Sequence, residues 1–307
     1  MKTLSIVVPV YFNEGSLAPL FAELQQVERK LLEKQVQVEL IFVDDGSGDE
    51  SWPELLKIKA QRQATTLVKL TRNFGAVHAS KTGVRLVKGD CFTILAADLQ
   101  DPPELILTMV DKWLAGAKYV LCAREGREDP LSSKLFSLLY YRLVRLLVVS
   151  SYPRQGYDLA LMDRSILPHF QDSGKNIYTP LYVYWLGFRP EIILYQRRKR
   201  LHGRSRWTFW KKLNSLVDSL AGFSILPIRL ISMIGFVVSF LSLGYGAFIS
   251  INAILGRIDV RGFPTVVTLI AFLLGLIILM LGMIGEYIWR IFDEVNKRPE
   301  VVIDEIR

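Results

Sequence analysis

Two uncharged apolar runs, Leu230 to Leu255 and Phe263 to Gly285, come late in a chain of 307 residues. As helices rising about 1.5 Å per residue, each is long enough to cross a hydrocarbon core of roughly 30 Å. Core helices of soluble proteins rarely stay free of charge for so long, still less twice in succession, so the chain is constrained to a membrane-bound architecture. The connection from Gly256 to Gly262 is short, which predicts a helical hairpin with both outer ends on one side. Lys211, Lys212, Arg229, Arg290, Lys297 and Arg298 flank those ends, against Arg257 and Arg261 in the connection. The positive-inside rule then puts the preceding domain and the tail in the cytoplasm. Met1 to Val10 has neither a basic n-region nor a helical h-region before Pro9, so no export signal is expected there.

Composition agrees with a soluble domain joined to a membrane anchor: 50% of residues are hydrophobic, yet 22% are charged. The net charge of +8 is clustered, with Arg124, Arg127, Lys134, Arg142 and Arg145 in one group and Arg197 to Lys212 in another. Beside a membrane hairpin, anionic headgroups of the lipid bilayer are a simpler partner for this charge than nucleic acid, which is not expected. Cys91 and Cys122 fall in predicted strands and read as inert buried thiols.

Short β-rich runs at Leu4 to Val10, Val36 to Val43, Thr65 to Leu70, Cys91 to Ala96 and Lys118 to Cys122 alternate with helical stretches at Gly15 to Lys34, Asp49 to Arg62, Ala76 to Lys88 and Pro102 to Ala115. The alternation predicts an α/β fold with a mostly parallel sheet covered by helices. In such sheets, ligands bind outside the carboxyl ends of the strands. Three polar motifs fall there: Pro9 to Glu14, Asp44 to Asp49, and Asp98 to Pro103. Gly46-Ser47-Gly48 invites a dinucleotide-fold reading, but Ser51 replaces the third glycine and the loop follows the second strand rather than the first. Asp44, Asp45 and Asp49 would also repel a bare pyrophosphate. A divalent cation between protein and phosphates reverses that sign. Mg²⁺ or Mn²⁺ suits hard oxygen ligands such as Asp98 and Gln100, two apart on a strand-end turn. Asp101 is expected to cap a helix beginning at Pro102.

The strings Ser5-Ile6-Val7-Val8-Pro9-Val10-Tyr11-Phe12-Asn13-Glu14, Val43-Asp44-Asp45-Gly46-Ser47, Thr71-Arg72-Asn73-Phe74-Gly75 and Ala97-Asp98-Leu99-Gln100-Asp101-Pro102-Pro103 resemble the inverting family 2 glycosyltransferases, which have the Rossmann-like GT-A fold. With the hairpin, Gly285-Glu286-Tyr287 and Lys297-Arg298-Pro299, nearly the whole chain is similar to polyprenyl-phosphate glycosyltransferases: the bactoprenol glucosyltransferases and dolichol-phosphate mannose synthases. The resemblance implies a nucleotide-sugar donor, with UDP-glucose the first guess, and an undecaprenyl phosphate acceptor at a bacterial plasma membrane. It assigns Pro9, Tyr11, Glu14, Asp44, Asp45 and Arg72 to the nucleotide, and Asp98 and Gln100 to Mg²⁺ or Mn²⁺ on the diphosphate. Ala96 stands where the family usually has a further aspartate.

Gln155-Gly156-Tyr157-Asp158-Leu159, after the predicted sheet, matches the family segment that brings a carboxylate near the reacting sugar, so Asp158 and Asp98 are the candidate catalytic pair. Pairing of Asp158 with Arg154 or Arg164 is the plainer alternative. A phosphomonoester has a second pKa of about 6, so the acceptor needs little deprotonation and Asp158 is expected to orient substrate. An anionic acceptor requires cations on its side. Arg124 and Arg127 could supply them, as could His202, Arg204, Ser205 and Arg206, which resemble the family's basic loop near the donor phosphates.

The expected domains are therefore a GT-A domain over 1–206, an interfacial amphipathic helix over 207–228, a transmembrane hairpin over 229–289 with helices near 230–255 and 263–288, and a cytoplasmic tail over 290–307. Phe209, Leu213, Leu216, Leu220 and Phe223 form the apolar stripe of the interfacial helix. Ser132 to Val149 reads as a second interfacial helix, with core packing as its rival. Glu286 and Arg290 are spaced for an ion pair. A processive polysaccharide synthase and a catalytically weak membrane scaffold that binds a nucleotide sugar or lipid are the alternative functions. Small residues at Gly235, Ser239, Ser242, Gly244 and Gly246 leave a homo-oligomer open.

Overall fold

In a computed structural model, which describes residues 1–125, 131–153, 156–171, 173–174, 179–198, 216, 219, 222–224, 226–255, 262–296 and 298–307, the β-rich runs pair into one sheet. Strands β1 (Lys2–Val10), β2 (Val36–Asp44), β3 (Thr65–Leu70) and β4 (Cys91–Ile94) are parallel in the order β4-β1-β2-β3. Leu4, Ile6, Val7 and Val8 are all essentially unexposed, the continuous apolar run of a strand covered on both faces. Helices α1 (Glu14–Glu33), α2 (Ser51–Gln61) and α4 (Leu105–Leu114) cover the face carrying Leu4, Ile6, Val8 and Val10. In α1 the buried residues Leu17, Leu20, Phe21, Leu24, Val27 and Leu31 recur every three or four positions, as an amphipathic helix requires. Helix α3 (Ala76–Val84) takes the opposite face. A Cβ at its Gly83 would lie 2.3 Å from Val7 Cγ1, so only glycine lets this helix approach so closely.

The sheet is mixed rather than simply parallel, and the reason lies beyond Cys122. Strand β5 (Tyr119–Arg124) pairs parallel with β7 (Glu191–Tyr195), while β6 (Tyr157–Asp163) lies between β5 and β4 and is antiparallel to both. The segment expected after the sheet is thus a strand inside it. Its antiparallel course puts its first residues, not its last, at the same sheet end as the carboxyl ends of β1, β2 and β4. Between β5 and β6 runs α5 (Leu131–Leu147). The short helices α6 (Leu167–Gln171) and α7 (Thr179–Trp185) connect β6 to β7. The final strand, β8 (Ile303–Ile306), closes the other sheet edge antiparallel to β3. The end of the expected tail is therefore part of the first unit's sheet, where β8 pairs with the edge that β3 would otherwise leave open.

The chain divides into two compact units, Met1–Gly222 with Pro299–Arg307, and Phe223–Arg298. The second contains helices α8 (Leu226–Ile254) and α9 (Phe263–Val295). They pack closely at Gly235, where a Cβ would come within 2.8 Å of Met280 Cε. Tyr287 donates to the Ser224 carbonyl at 3.2 Å, and Arg290 pairs with Glu286 at 2.9 Å, the predicted i,i+4 contact. Phe236, Phe240, Ile254, Phe272, Ile278 and Leu281 lie exposed on these helices. Among the described residues, one stretch, Phe272–Val295, is long and apolar enough to cross a membrane, and Ile228–Ser242 is a shorter apolar stretch. The expected interfacial helix over 207–228 lies largely outside the described residues.

Candidate active site

The strand order reverses between β1 and β4, and in open α/β sheets the loops leaving the two strands at such a point form the ligand crevice. Loops after β1 and β2 are tied to each other before they reach it. Asp45 N donates to the Val10 carbonyl at 2.8 Å, Phe12 N to Ser47 Oγ at 3.1 Å and Asn13 N to Ser51 Oγ at 2.8 Å. Glu14 accepts from Glu50 N at 2.9 Å, so its carboxylate braces the two loops. Pro9 and Tyr11 are half-buried beside this junction, and Phe12 edges against Tyr11 with ring centroids 4.7 Å apart.

The adjacent aspartates have different surroundings. Asp45 Oδ1 accepts from Phe74 N at 2.7 Å, and Oδ2 accepts from Gly75 N at 2.9 Å and Asn73 Nδ2 at 3.0 Å, which fastens the 71–75 loop. Asp44 is fully buried and its Oδ2 has no hydrogen-bond partner. Burial pushes the pKa of both carboxyls up; the hydrogen bonds from Ser47 oppose this for Asp44 and those from Phe74 and Gly75 for Asp45. A buried acceptor of this kind is a place for a ligand's donor group. Gly46, at φ +66°, lets the two loops meet: a Cβ there would lie 2.5 Å from the Arg72 carbonyl carbon. Arg72 itself is exposed and stacks over Phe74 at 4.1 Å.

After β4, Leu99 takes φ +59° and turns the chain back on itself. The turn leaves Asp98 and Gln100 half-buried, with Gln100 N donating to Asp98 Oδ1 at 3.2 Å. Ser16 anchors the turn by donating to the Ala97 carbonyl at 2.7 Å. One carboxylate and one amide oxygen are a partial set for a hard divalent ion, of the sort completed by substrate phosphates and water. No cluster of three or more acidic, histidine or cysteine ligands occurs among the described residues. Asp101 departs from the expected capping role. Helix α4 starts only at Leu105, and Asp101 instead accepts from Tyr195 at 2.5 Å and from Arg197 Nε at 3.2 Å.

Tyr195 links Asp101 to Asp158, whose Oδ2 it reaches at 3.2 Å. Asp158 heads β6 and forms a two-pronged pair with Arg124 at the end of β5, Nη2 to Oδ1 being 2.6 Å. The partner is neither Arg154, which lies outside the described residues, nor Arg164, which donates to the Lys88 carbonyl at 2.6 Å. Burial raises the pKa of Asp158, but the Arg124 hydrogen bonds and the charge of Arg197 outweigh it and hold the carboxyl below its ordinary range. Asp101 moves the other way, raised by burial and then by the charge of Asp158. Arg124 is therefore occupied by Asp158, as Arg197 is by Asp101. Arg127, His202, Arg204, Ser205 and Arg206, expected near the phosphates, lie outside the described residues. Tyr195 and Arg197 were not legible as site residues. Their only mark in the sequence is that a β-rich run, Glu191 to Tyr195, leads directly into the basic stretch. Cys91 and Cys122 are buried and free, and burial raises the Cys122 thiol to about 12.

A family model described as glycosyl transferase family 2 matches residues 5–170. An uncharacterized glycosyltransferase of Synechocystis is 33% identical over 310 residues, covering 99% of this chain and 95% of that protein. The bactoprenol glucosyl transferase of Shigella phage SfII is 31% identical over 302 residues, covering 98% and 97% respectively. The solved mannosyltransferase of Pyrobaculum calidifontis, in complex with GDP-Man and Mn²⁺, is 17% identical with a TM-score of 0.41, covering 91% of this chain and 86% of that one.

Proposed function

Since this chain belongs to glycosyl transferase family 2 and is a glycosyltransferase, we propose that it transfers a hexose, glucose from UDP-glucose in the first instance, from a nucleotide sugar to a polyprenyl phosphate, with inversion and with a divalent cation. The observation that carries this reading is the correspondence with bactoprenol glucosyl transferase along 98% of the chain, which takes in the apolar C-terminal helices as well as the sheet. Both α8 and α9 would span the bilayer, with the first unit on the cytoplasmic face. The outer face of α5 supports bilayer contact by that unit: Leu138, Leu139 and Leu146 are 55%, 54% and 76% exposed, while Val144 packs inward.

In this reading the nucleoside lies against Pro9 and Tyr11, and the unpartnered oxygen of Asp44 accepts a hydrogen bond from base or ribose. Asp98 and Gln100 would hold Mg²⁺ or Mn²⁺, which when bound stabilises charge developing on the leaving diphosphate. The acceptor phosphate is ionised at neutral pH and needs no strong base. Asp158 suits that chemistry. Its proton affinity is low and Arg124 and Tyr195 fix its orientation, so it accepts from a sugar hydroxyl and positions the ring for attack.

The reading is tested by incubating the detergent-purified full chain with Mg²⁺, radiolabelled UDP-glucose and undecaprenyl phosphate, with GDP-mannose in parallel. Label from UDP-glucose in the organic phase is the expected result. Label from GDP-mannose alone would replace the donor, and none from either would overturn both assignments.

A further inference from the structure

After the hairpin the chain re-enters the first unit at Pro299, and from there it grips the 71–75 loop at both ends. In front of the loop, Thr71 N donates to the Val302 carbonyl at 3.1 Å, and Leu67 and Arg307 exchange backbone hydrogen bonds of 2.9 Å each way. Behind it, Glu300 binds three side chains of α3 and its C-cap. His78 Nδ1 lies 3.0 Å from its carboxylate and Lys81 Nζ 2.7 Å, and Arg85 completes the set. These residues sit at i, i+3 and i+7, one face of the helix. The side chains of Glu300 and Lys81 are 6% and 1% exposed, so their pair is largely screened from water, and Lys81 also donates to the carbonyls of Ser173 at 3.2 Å and Gly174 at 3.1 Å.

The loop gripped in this way is the one that fastens Asp45. Phe74 N and Gly75 N, which bind the Asp45 carboxylate, are the last residues before α3 begins. Any shift of α3 therefore moves the donors that fix Asp45, and with them the backbone that carries Asp44. We propose that Glu300 is a positioning residue for the nucleotide site: by holding α3 against the tail it sets the 71–75 loop and hence the placement of Asp44. The inference rests on the nucleotide-sugar reading of that crevice. It makes the segment directly following the hairpin a determinant of donor affinity, although the tail contributes no group of its own to the crevice.

The test is binding of UDP with Mg²⁺, and of GDP with Mg²⁺, to the full chain in detergent, alongside melting temperature. Glu300→Gln removes the charge and keeps the shape. It is expected to weaken UDP binding on the order of tenfold, the size seen when a remote coupling residue is changed, while kcat at saturating donor changes less than about twofold. Glu300→Asp, which restores the charge on a shorter arm, recovers part of the affinity. Arg85→Gln, which leaves the Lys81 pair intact, gives a smaller loss and serves if Glu300→Gln does not fold. Leu31→Ala is the control: Leu31 is fully buried in α1, and its truncation lowers stability without touching the loop. Equal UDP affinity in wild type and Glu300→Gln, or an equal loss in Leu31→Ala, overturns the positioning role. Failure of wild type to bind either nucleotide would instead remove the reading of the crevice itself, and the inference with it.

Discussion

Asp44 and Asp98 are both carboxylates at strand ends, and their neighbours give them different surroundings. Asp44 is buried with one oxygen unpartnered and a pKa raised first by burial. A carboxyl whose folded-state pKa lies above its unfolded value of 3.8 weighs against folding once it is ionised, so its cost is absent at low pH and complete at neutral pH. Asp44→Asn is therefore expected to raise the melting temperature at pH 7, with the gain shrinking as the pH falls towards 4, and to lower UDP affinity at the same time. A shift of about 2–4 °C would correspond to 1 kcal/mol for a domain of this size. Asp98→Asn keeps the hydrogen bond from Gln100 N but loses the charge. It should leave the fold intact and cut transfer to lipid on the order of 10²–10³-fold, by the standard of lost transition-state electrostatics. Near wild-type transfer with Mg²⁺ or Mn²⁺ present would remove Asp98 from the reaction.

Among the elements, the loops after β2 and β3 depend on one close approach. Gly46→Ala places a methyl 2.5 Å from the Arg72 backbone and forces an unfavourable positive φ on it, so the loops must separate. Loss of UDP affinity with a lowered melting temperature is the expected pair of effects, and unchanged values of both would show that the loops yield without consequence. Much of this architecture could be read beforehand. Strands β1 to β4 and helices α1 to α4 follow from apolar runs punctuated by turn residues, and the three polar motifs mark the strand ends. Strand β6 escaped because its antiparallel course is set by neighbours distant in sequence, and β8 because its four residues, Ile303-Asp304-Glu305-Ile306, are too short and too acidic to show a strand's alternation. The Arg124–Asp158 pair escaped for a similar reason. It joins the end of one strand to the start of another, an adjacency that exists only once β6 is known to run backwards.

For the molecule as a whole, the two-span hairpin can be tested with a membrane-impermeant maleimide on intact cells. Cys91 and Cys122 are fully buried and should stay unlabelled. A cysteine replacing Asp259 in the connection should label from outside, whereas one replacing Asp304 in β8 should label only after the membrane is opened. Labelling of both from the same side would refute the topology. The return of the chain into the sheet after α9 also has a consequence for biosynthesis. Strand β3 ends at Leu70 and its edge partner begins at Ile303, so at ribosomal rates of about 5–20 residues per second that edge stands open for roughly 10–50 s. Throughout that interval helices α8 and α9 are being made and β3 remains open to pairing with another nascent chain. The first unit is completed by residues that emerge only after α8 and α9, which ties closure of the enzyme's sheet to synthesis of its apolar helices.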